Sequence, residues 1–185
     1  NSTCNMKWER GVSNWNVSNV IDANCMFANN PHFNRPLNNW NVGRIRNASG
    51  MFKNCYSFNQ PLDGEWSGFK PRKVREMFQN CYNFNQPVSH FNMEDVTDFV
   101  RMFENAVSFN QPIEWTFDYN NTATKEMFKG CVALNQEFNH MEGYIEDMAI
   151  PHRHQYHMFA GCIRMTPAKI KNWPYVNHLQ FEEFS

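Results

Sequence analysis

Three histidines at positions 152, 154 and 157 form the sequence feature best suited to bind a transition metal. Imidazole nitrogens ligate zinc and copper, and the H-x-H-x-x-H spacing brings His152, His154 and His157 close along the chain. No Cys or carboxylate stands where a fourth ligand is expected, and a polar insertion loop accounts for the same residues. We therefore predict no bound metal, with a site on these three histidines as the alternative.

Basic side chains cluster at Lys70, Arg72, Lys73 and Arg75. A solvated face is the favoured interpretation, and contact with an anion or an acidic partner is the alternative. Over the whole chain, 17 Lys and Arg nearly balance 18 Asp and Glu, which gives a formal net charge of -1. This balance favours neither nucleic acid nor an anionic membrane as a partner, and no apolar run reaches the length of a membrane span.

Motifs of enzyme chemistry are missing from the sequence. It contains no G-x-S-x-G, H-E-x-x-H or P-loop, and its Asp and Glu residues form no evident acid/base pair. We predict a protein that is not an enzyme and needs no cofactor.

The elements that must position any binding residues repeat along the chain. Six Met-Phe pairs are spaced by 25, 26, 25, 25 and 31 residues, and we number the units one to six after them. Such a period predicts a solenoid, in which each small unit is stabilised by stacking on its neighbours. The two predicted structural ladders are Met26, Met51, Met77, Met102, Met127 and Met158, and Phe27, Phe52, Phe78, Phe103, Phe128 and Phe159.

Each unit opens with alternating apolar residues, as in Leu37-x-x-Trp40-x-Val42. This pattern predicts a short strand that turns Trp40 and Val42 inward and pairs with its equivalent in the next unit. Three residues after each Met stands Asn or Gly, which tolerate the left-handed conformation that closes a helix. We therefore predict a helix of about two turns that ends at this position. The closing residues are Asn29, Asn54, Asn80, Asn105, Gly130 and Gly161.

Cysteines recur in the slot that follows, at Cys55, Cys81, Cys131 and Cys162. Buried thiols are the favoured interpretation, and a Cys55–Cys81 disulfide is the alternative. Cys4 and Cys25 lie outside this slot, and a disulfide between them would staple the N-terminal cap. A ladder of free thiols favours folding in a reducing cytoplasm.

Further along each unit, a second apolar ladder is followed by asparagines that we expect to bond backbone groups at a turn. The apolar ladder is Phe33, Phe58, Phe84, Phe109, Leu134 and Met165, and the asparagines are Asn34, Asn59, Asn85, Asn110 and Asn135.

Phe-Asn-Gln-Pro at 58–61, 84–87 and 109–112, Trp-Asn-Val-Ser-Asn-Val at 15–20, and the Met-Phe-x-Asn-Cys blocks resemble the bacterial surface protein 26-residue repeat family. This family includes mycoplasma lipoprotein repeats and BspA-like surface proteins, and similar arrays occur in large DNA viruses. The resemblance covers about residues 12–138 and implies an α/β solenoid related to leucine-rich repeats, used for display, adhesion or assembly. It implies no catalytic residues.

The predicted fold is a right-handed, leucine-rich-repeat-like α/β solenoid of about six 25-residue coils, each with one short strand and one short helix. The predicted single domain has an N-terminal cap at 1–11, six repeats at 12–165 and a C-terminal cap at 166–185.

The function predicted for this solenoid is a non-enzymatic interaction or structural module. The leading hypothesis is an assembly or scaffold protein, such as a component of a large DNA virus particle, and the alternative is a cell-surface adhesin for a host glycan or protein. Sequons at Asn1, Asn16, Asn47 and Asn120 fit the alternative, although repeat composition also produces them. The candidate binding surface is an outward polar row formed by Asn16, Asn41, Ser67 and Asn92, for which a solubilising face is the favoured interpretation and binding of a glycan or a protein is the alternative.

Overall fold

Backbone hydrogen bonds join equivalent residues of consecutive units. In this computed structural model, which describes residues 11–116, 122–138 and 157–170, each Phe of the Met-Phe pair donates to the Met of the next unit. The bonds run from Phe27 to Met51, Phe52 to Met77, Phe78 to Met102, Phe103 to Met127 and Phe128 to Met158, at 2.8 to 2.9 Å. Consecutive units therefore stack in the register that the Met-Phe repeat predicted.

The segment around each Met-Phe pair is a series of turns, not the two-turn helix predicted from the sequence. In unit one, the N–H groups of Cys25, Phe27 and Asn29 donate to the next unit, whereas those of Met26 and Ala28 close four-residue turns within their own unit. Cys25 and Asn29 have φ angles of 53° and 62°. An α-helix cannot continue through left-handed residues. In a helix the backbone N–H groups would also point along the helix axis, whereas here every second one points to the next unit.

The left-handed conformation predicted three residues after each Met is confirmed in all six units. Asn29, Asn54, Asn80 and Asn105 have φ angles of 57° to 62°, and Gly130 and Gly161 have 74° and 76°. The sequence did not predict a second left-handed residue directly before each Met, where Glu76, Arg101 and Glu126 stand in units three to five.

Parallel β-bridges between the backbones of consecutive units lie later in each unit than the predicted strands. Isolated bridges link Asp22 to Asn47, Asn47 to Lys73, and Asp98 to Ala123. The predicted strand at Trp40 and Val42 is instead an extended segment between two turns, which close at the N–H groups of Trp40 and Ile45. The alternation correctly identified Trp40 and Val42 as buried and Asn41 as exposed, because any extended segment alternates its side chains.

The named helices of the described residues are three short 3-10 helices: Val12–Asn14, Gly64–Gly68 and Pro167–Ile170. Gly64–Gly68 contains the extra residue of unit three and keeps Trp66 fully buried, with its indole nitrogen donating to the carbonyl of Leu37 at 2.8 Å. Two hydrogen bonds connect Pro167–Ile170 to the preceding units. The N–H of Phe138 donates to the carbonyl of Lys169 at 2.9 Å, and Lys169 Nζ donates to the carbonyl of Asn135 at 2.8 Å. Most of the two predicted caps lies outside the described residues.

Two stacked columns of aromatic rings form the core. Ring centroids of successive Phe residues in the Met-Phe ladder lie 5.4 to 5.7 Å apart from Phe27 to Phe159, and every Met of the other ladder except the partly buried Met26 is fully buried. The second column begins at Phe33 and packs against the first, with centroids 4.2 to 4.3 Å apart within units one to four. Trp15 departs from its buried equivalents and is 44% exposed.

Candidate functional site

Asparagine side chains form a continuous hydrogen-bonded ladder from unit to unit. The amide nitrogens of Asn54 and Asn80 each donate to the Oδ1 of the preceding Asn at 2.6 Å, and Asn105 donates to Asn80 Oδ1 at 2.9 Å. We call Asn29, Asn54, Asn80 and Asn105 the amide ladder. It ends at Gly130, where a Cβ atom would overlap Asn105 Oδ1.

A second asparagine ladder holds the turn that follows, as the sequence predicted. The backbone N–H groups of Asn59, Asn85, Asn110 and Asn135 each donate to the Oδ1 of the equivalent Asn one unit earlier, at 2.8 to 3.0 Å. The Gln that follows each of these asparagines also donates to the same oxygen. Both ladders therefore use their amides to join units, which leaves them less available to a ligand.

The cysteines of the repeated slot are free thiols that bind backbone. Each Sγ donates to the Phe carbonyl of the preceding unit at 2.9 to 3.0 Å, and we call Cys55, Cys81, Cys131 and Cys162 the thiol ladder. Burial raises the pKa of Cys55 and Cys162 to about 12, and it raises the pKa of Cys81 and Cys131 well above the usual range. The predicted buried-thiol interpretation is confirmed, and the Cys55–Cys81 disulfide is wrong.

Charged side chains beside the amide ladder neutralise one another across units. Lys53 Nζ is 2.7 Å from Glu76, and Arg101 Nε is 2.6 Å from Glu126. Burial alone would raise the pKa of Glu126, but hydrogen bonds and charges from Arg101 and Lys129 outweigh it and lower that pKa. These groups are therefore paired with one another across units.

The polar row named as the candidate binding surface is exposed, but most of its amides make local turns. Asn16, Asn41 and Asn92 each accept a hydrogen bond on Oδ1 from the N–H two residues later, at 3.1 to 3.3 Å. Ser67 is exposed within Gly64–Gly68. The row is therefore a set of turn-forming residues between extended segments, not the face of a sheet.

Two members of the basic cluster form ion pairs and two do not. Lys70 lies 3.6 Å from both Glu94 and Asp95, and Arg75 lies 3.3 Å from Asp98, whereas Arg72 and Lys73 are exposed and form no ion pair with any described residue.

Of the three histidines named as the alternative metal site, His152 and His154 lie outside the described residues, and His157 is partly buried with a φ angle of 55°. Within the described ranges, no three His, Cys, Asp or Glu side chains are grouped so that they could hold a metal ion.

Two predicted modification sites can be placed. Asn47 is partly buried, and its amide nitrogen, where a glycan would be attached, donates to Asp22 at 3.2 Å. Asn16 is exposed, and its Oδ1 accepts from both the N–H and the hydroxyl of Ser18. Asn1 and Asn120 lie outside the described residues, as does Cys4, the predicted partner of Cys25.

Sequence reasoning missed a row of apolar side chains on the surface. In units two to six, an apolar residue directly follows each cysteine of the thiol ladder, or Ala106, which takes the place of the cysteine in unit four. We call Tyr56, Tyr82, Val107, Val132 and Ile163 the apolar stripe. Tyr56, Tyr82, Val132 and Ile163 are 41%, 39%, 38% and 66% exposed, and Val107 is partly buried. The rings of Tyr56 and Tyr82 stack with centroids 4.8 Å apart. We therefore take the apolar stripe as the candidate interaction surface.

Comparison with known families identifies the repeat. A family model described as "Mycoplasma protein of unknown function, DUF285" matches residues 3–74 and 64–173. The chain belongs to the DUF285 family. The resemblance to mycoplasma and BspA-like repeats noted from the sequence is confirmed. No curated protein and no solved structure matches this DUF285 chain.

Among the described residues of the DUF285 chain, no helix is long and apolar enough to cross a membrane.

The thiol ladder of this DUF285 protein is expected to resist modification until the protein unfolds. In a Cys4→Ser/Cys25→Ser background, DTNB at pH 8 should react with the four remaining thiols roughly a thousandfold more slowly than with a small thiol, because the reaction needs a thiolate. Unfolding in guanidinium should release all four. Rapid reaction of the folded protein, or a Cys55–Cys81 crosslinked peptide from nonreducing digestion, would contradict this geometry.

Proposed function

We propose that this protein is a solenoid of stacked units that acts as a non-enzymatic protein-interaction module in an assembly. Its docking surface is the apolar stripe, and its partner presents an amphipathic helix. The observation that carries the proposal is the repetition of apolar side chains in one slot of five consecutive units, four of them exposed.

The spacing of the stripe favours a helix as its ligand. Consecutive members lie about one unit apart, and the Tyr56 and Tyr82 ring centroids give that distance as 4.8 Å. An α-helix advances about 5.4 Å per turn, so a row of apolar residues at i, i+4 and i+7 follows the stripe closely. Five members span four such intervals, which a helix of about 14 residues covers. An extended strand presents side chains on one face only every 6.6 to 6.8 Å and falls out of step with the stripe.

The rims of the stripe suit a protein ligand better than a glycan. Aromatic residues that bind sugars must offer a ring face, but Tyr56 and Tyr82 turn their faces to each other. The amide ladder on one side has its central oxygens and nitrogens engaged between units. Polar residues directly follow the stripe residues in the chain, such as Ser57, Asn83 and Ser108, and fit the polar border typical of a protein interface.

Photocrosslinking tests the stripe against the polar row that the sequence predicted. We expect p-benzoylphenylalanine at position 82 to capture a protein in the native cell or particle, and the same group at exposed Asn41 to capture at least about tenfold less. Peptides crosslinked to position 82 should show apolar residues at i, i+3, i+4 and i+7. In a Tyr56→Ser background, capture at position 82 should fall, because a contact beside the photoreactive group has been removed.

A second variant of the stripe, which conserves side-chain shape, keeps that result interpretable. Val132→Thr changes the stripe two units away and preserves side-chain shape, so it should weaken capture without unfolding the protein. Equal capture at positions 41 and 82, or crosslinked segments without helical apolar spacing, would overturn the proposal.

A further inference from the structure

Charge is segregated along the stack of units. Residues 44–75 contain seven basic and two acidic side chains, a formal charge of +5, whereas residues 76–116 contain one basic and six acidic side chains, a formal charge of -5. The chain as a whole is nearly neutral, so its net charge conceals this separation. Adjacent regions of opposite charge create a strong local field even in a neutral protein.

Contacts between units three and four place both charges side by side. Lys70 Nζ is 3.6 Å from carboxylate oxygens of Glu94 and Asp95. On the basic side, the N–H groups of Arg72 and Lys73 donate to the carbonyl of Arg46 in unit two. Arg44, Lys70 and Asp95 stand seven residues before the Met of units two, three and four, and Arg72 and Lys73 follow Lys70 by two and three residues. We call the surface formed by these residues and Glu94 the charged edge. Its basic half is Arg44, Arg72 and Lys73, and its acidic half is Glu94 and Asp95.

The groups of the charged edge remain open to another molecule. Arg72 and Lys73 are exposed and form no ion pair with a described residue. Within the described part of the chain, the Arg44 side chain donates only to the neutral Asn19, at 3.0 Å. The side chain of Glu94 is 75% exposed although it faces Lys70. Ion pairs at this distance and exposure are weak, so a contact with a better charge match can replace them.

From this arrangement we propose that the charged edge binds a second copy of the chain in an antiparallel, two-fold symmetric dimer. A two-fold axis between units three and four places the basic half of each copy against the acidic half of the other, so that one contact is made twice. The acidic half beside the basic half would repel a nucleic acid or an acidic protein segment. The charged edge and the apolar stripe occupy different slots of the repeat, so dimerisation does not depend on the proposed docking of a helix.

Sedimentation velocity on the full chain tests the dimer. The wild-type protein should dimerise at low salt and dissociate at high salt, since screening weakens exposed charge pairs. Two charge-reversal variants, Arg72→Glu/Lys73→Glu and Glu94→Lys/Asp95→Lys, should each associate at least tenfold more weakly than wild type. An equimolar mixture of the two variants should recover a heterodimer, because each then complements the other.

Controls separate the charged edge from general charge effects. Glu65→Lys/Glu114→Lys changes two exposed carboxylates in other slots and should leave dimerisation unchanged. Circular dichroism establishes that each variant is folded, and the salt dependence of the wild-type protein decides the question if one is not. A wild-type monomer at low salt, a dimer that is insensitive to salt, or folded variants that fail to pair when mixed would overturn the proposal.

Discussion

Replacing Phe78 with alanine is expected to lower the free energy of unfolding by about 3–5 kcal/mol. Phe78 is fully buried, and its ring stacks on Phe52 at 5.5 Å, Phe103 at 5.4 Å and Phe84 at 4.2 Å. Truncation removes contacts to the units on both sides, and ring stacking prevents the neighbours from collapsing into the cavity. The loss therefore affects two interfaces between units and not one local site.

Urea denaturation followed by circular dichroism and by tryptophan fluorescence measures this loss. Agreement between the two signals is needed first, because repeat arrays can unfold in parts. The matched control is Tyr82→Ala, an aromatic truncation in the same unit at an exposed position, which should cost at most about 1 kcal/mol. Equal losses for the two variants would contradict the stacked core.

Replacing Asn80 with alanine is expected to cost about 3 kcal/mol through two separate effects. Its amide donates to Asn54 Oδ1 and its Oδ1 accepts from Asn105, so alanine removes two hydrogen bonds of the amide ladder. Its φ angle is 59°, a left-handed conformation that asparagine tolerates better than alanine does.

Asn80→Gly separates these two effects. Glycine adopts the left-handed conformation freely but makes no side-chain bond, so it should recover about 1 kcal/mol relative to alanine. Thermal or urea unfolding of the three proteins gives both differences. A glycine variant less stable than the alanine variant would show that the backbone conformation is not the constraint we describe. A wild-type-like alanine variant would exclude a stabilising role for the ladder.

Which residues are buried could be predicted from the repeat alone. The Met-Phe ladders, the thiol slot and the inward Trp40 were identified because stacking of identical units forces equivalent residues into equivalent environments. The left-handed asparagines were predicted for a related reason, since few residue types tolerate that conformation.

The local conformation around Met-Phe could not be predicted in this way. The second left-handed position holds Glu76, Arg101 and Glu126, which carry no sequence signal for that conformation. Bonding between units imposes it, because every second N–H must point to the next unit. Tertiary hydrogen bonds therefore decided between a helix and a series of turns, and local propensity did not.

The apolar stripe had a usable signal that sequence reasoning passed over. Tyr56, Tyr82 and Val132 directly follow cysteines already assigned to a buried slot. Apolar residues recur in that slot in five consecutive units, and four of the five are exposed. The predicted polar row drew attention instead, because the segment that carries it was interpreted as a strand.

Crosslinking mass spectrometry on the intact cell or particle tests the central claim most directly, namely that the stacked units dock a protein along the apolar stripe. Lys53 and Lys129 lie three residues before Tyr56 and Val132, whereas Lys70 and Lys73 lie on the charged side of the repeat. The account predicts that links to other proteins come chiefly from Lys53 and Lys129, and reach segments with helical apolar spacing. Links to other proteins spread evenly over these four lysines, or confined to Lys70 and Lys73, would contradict it.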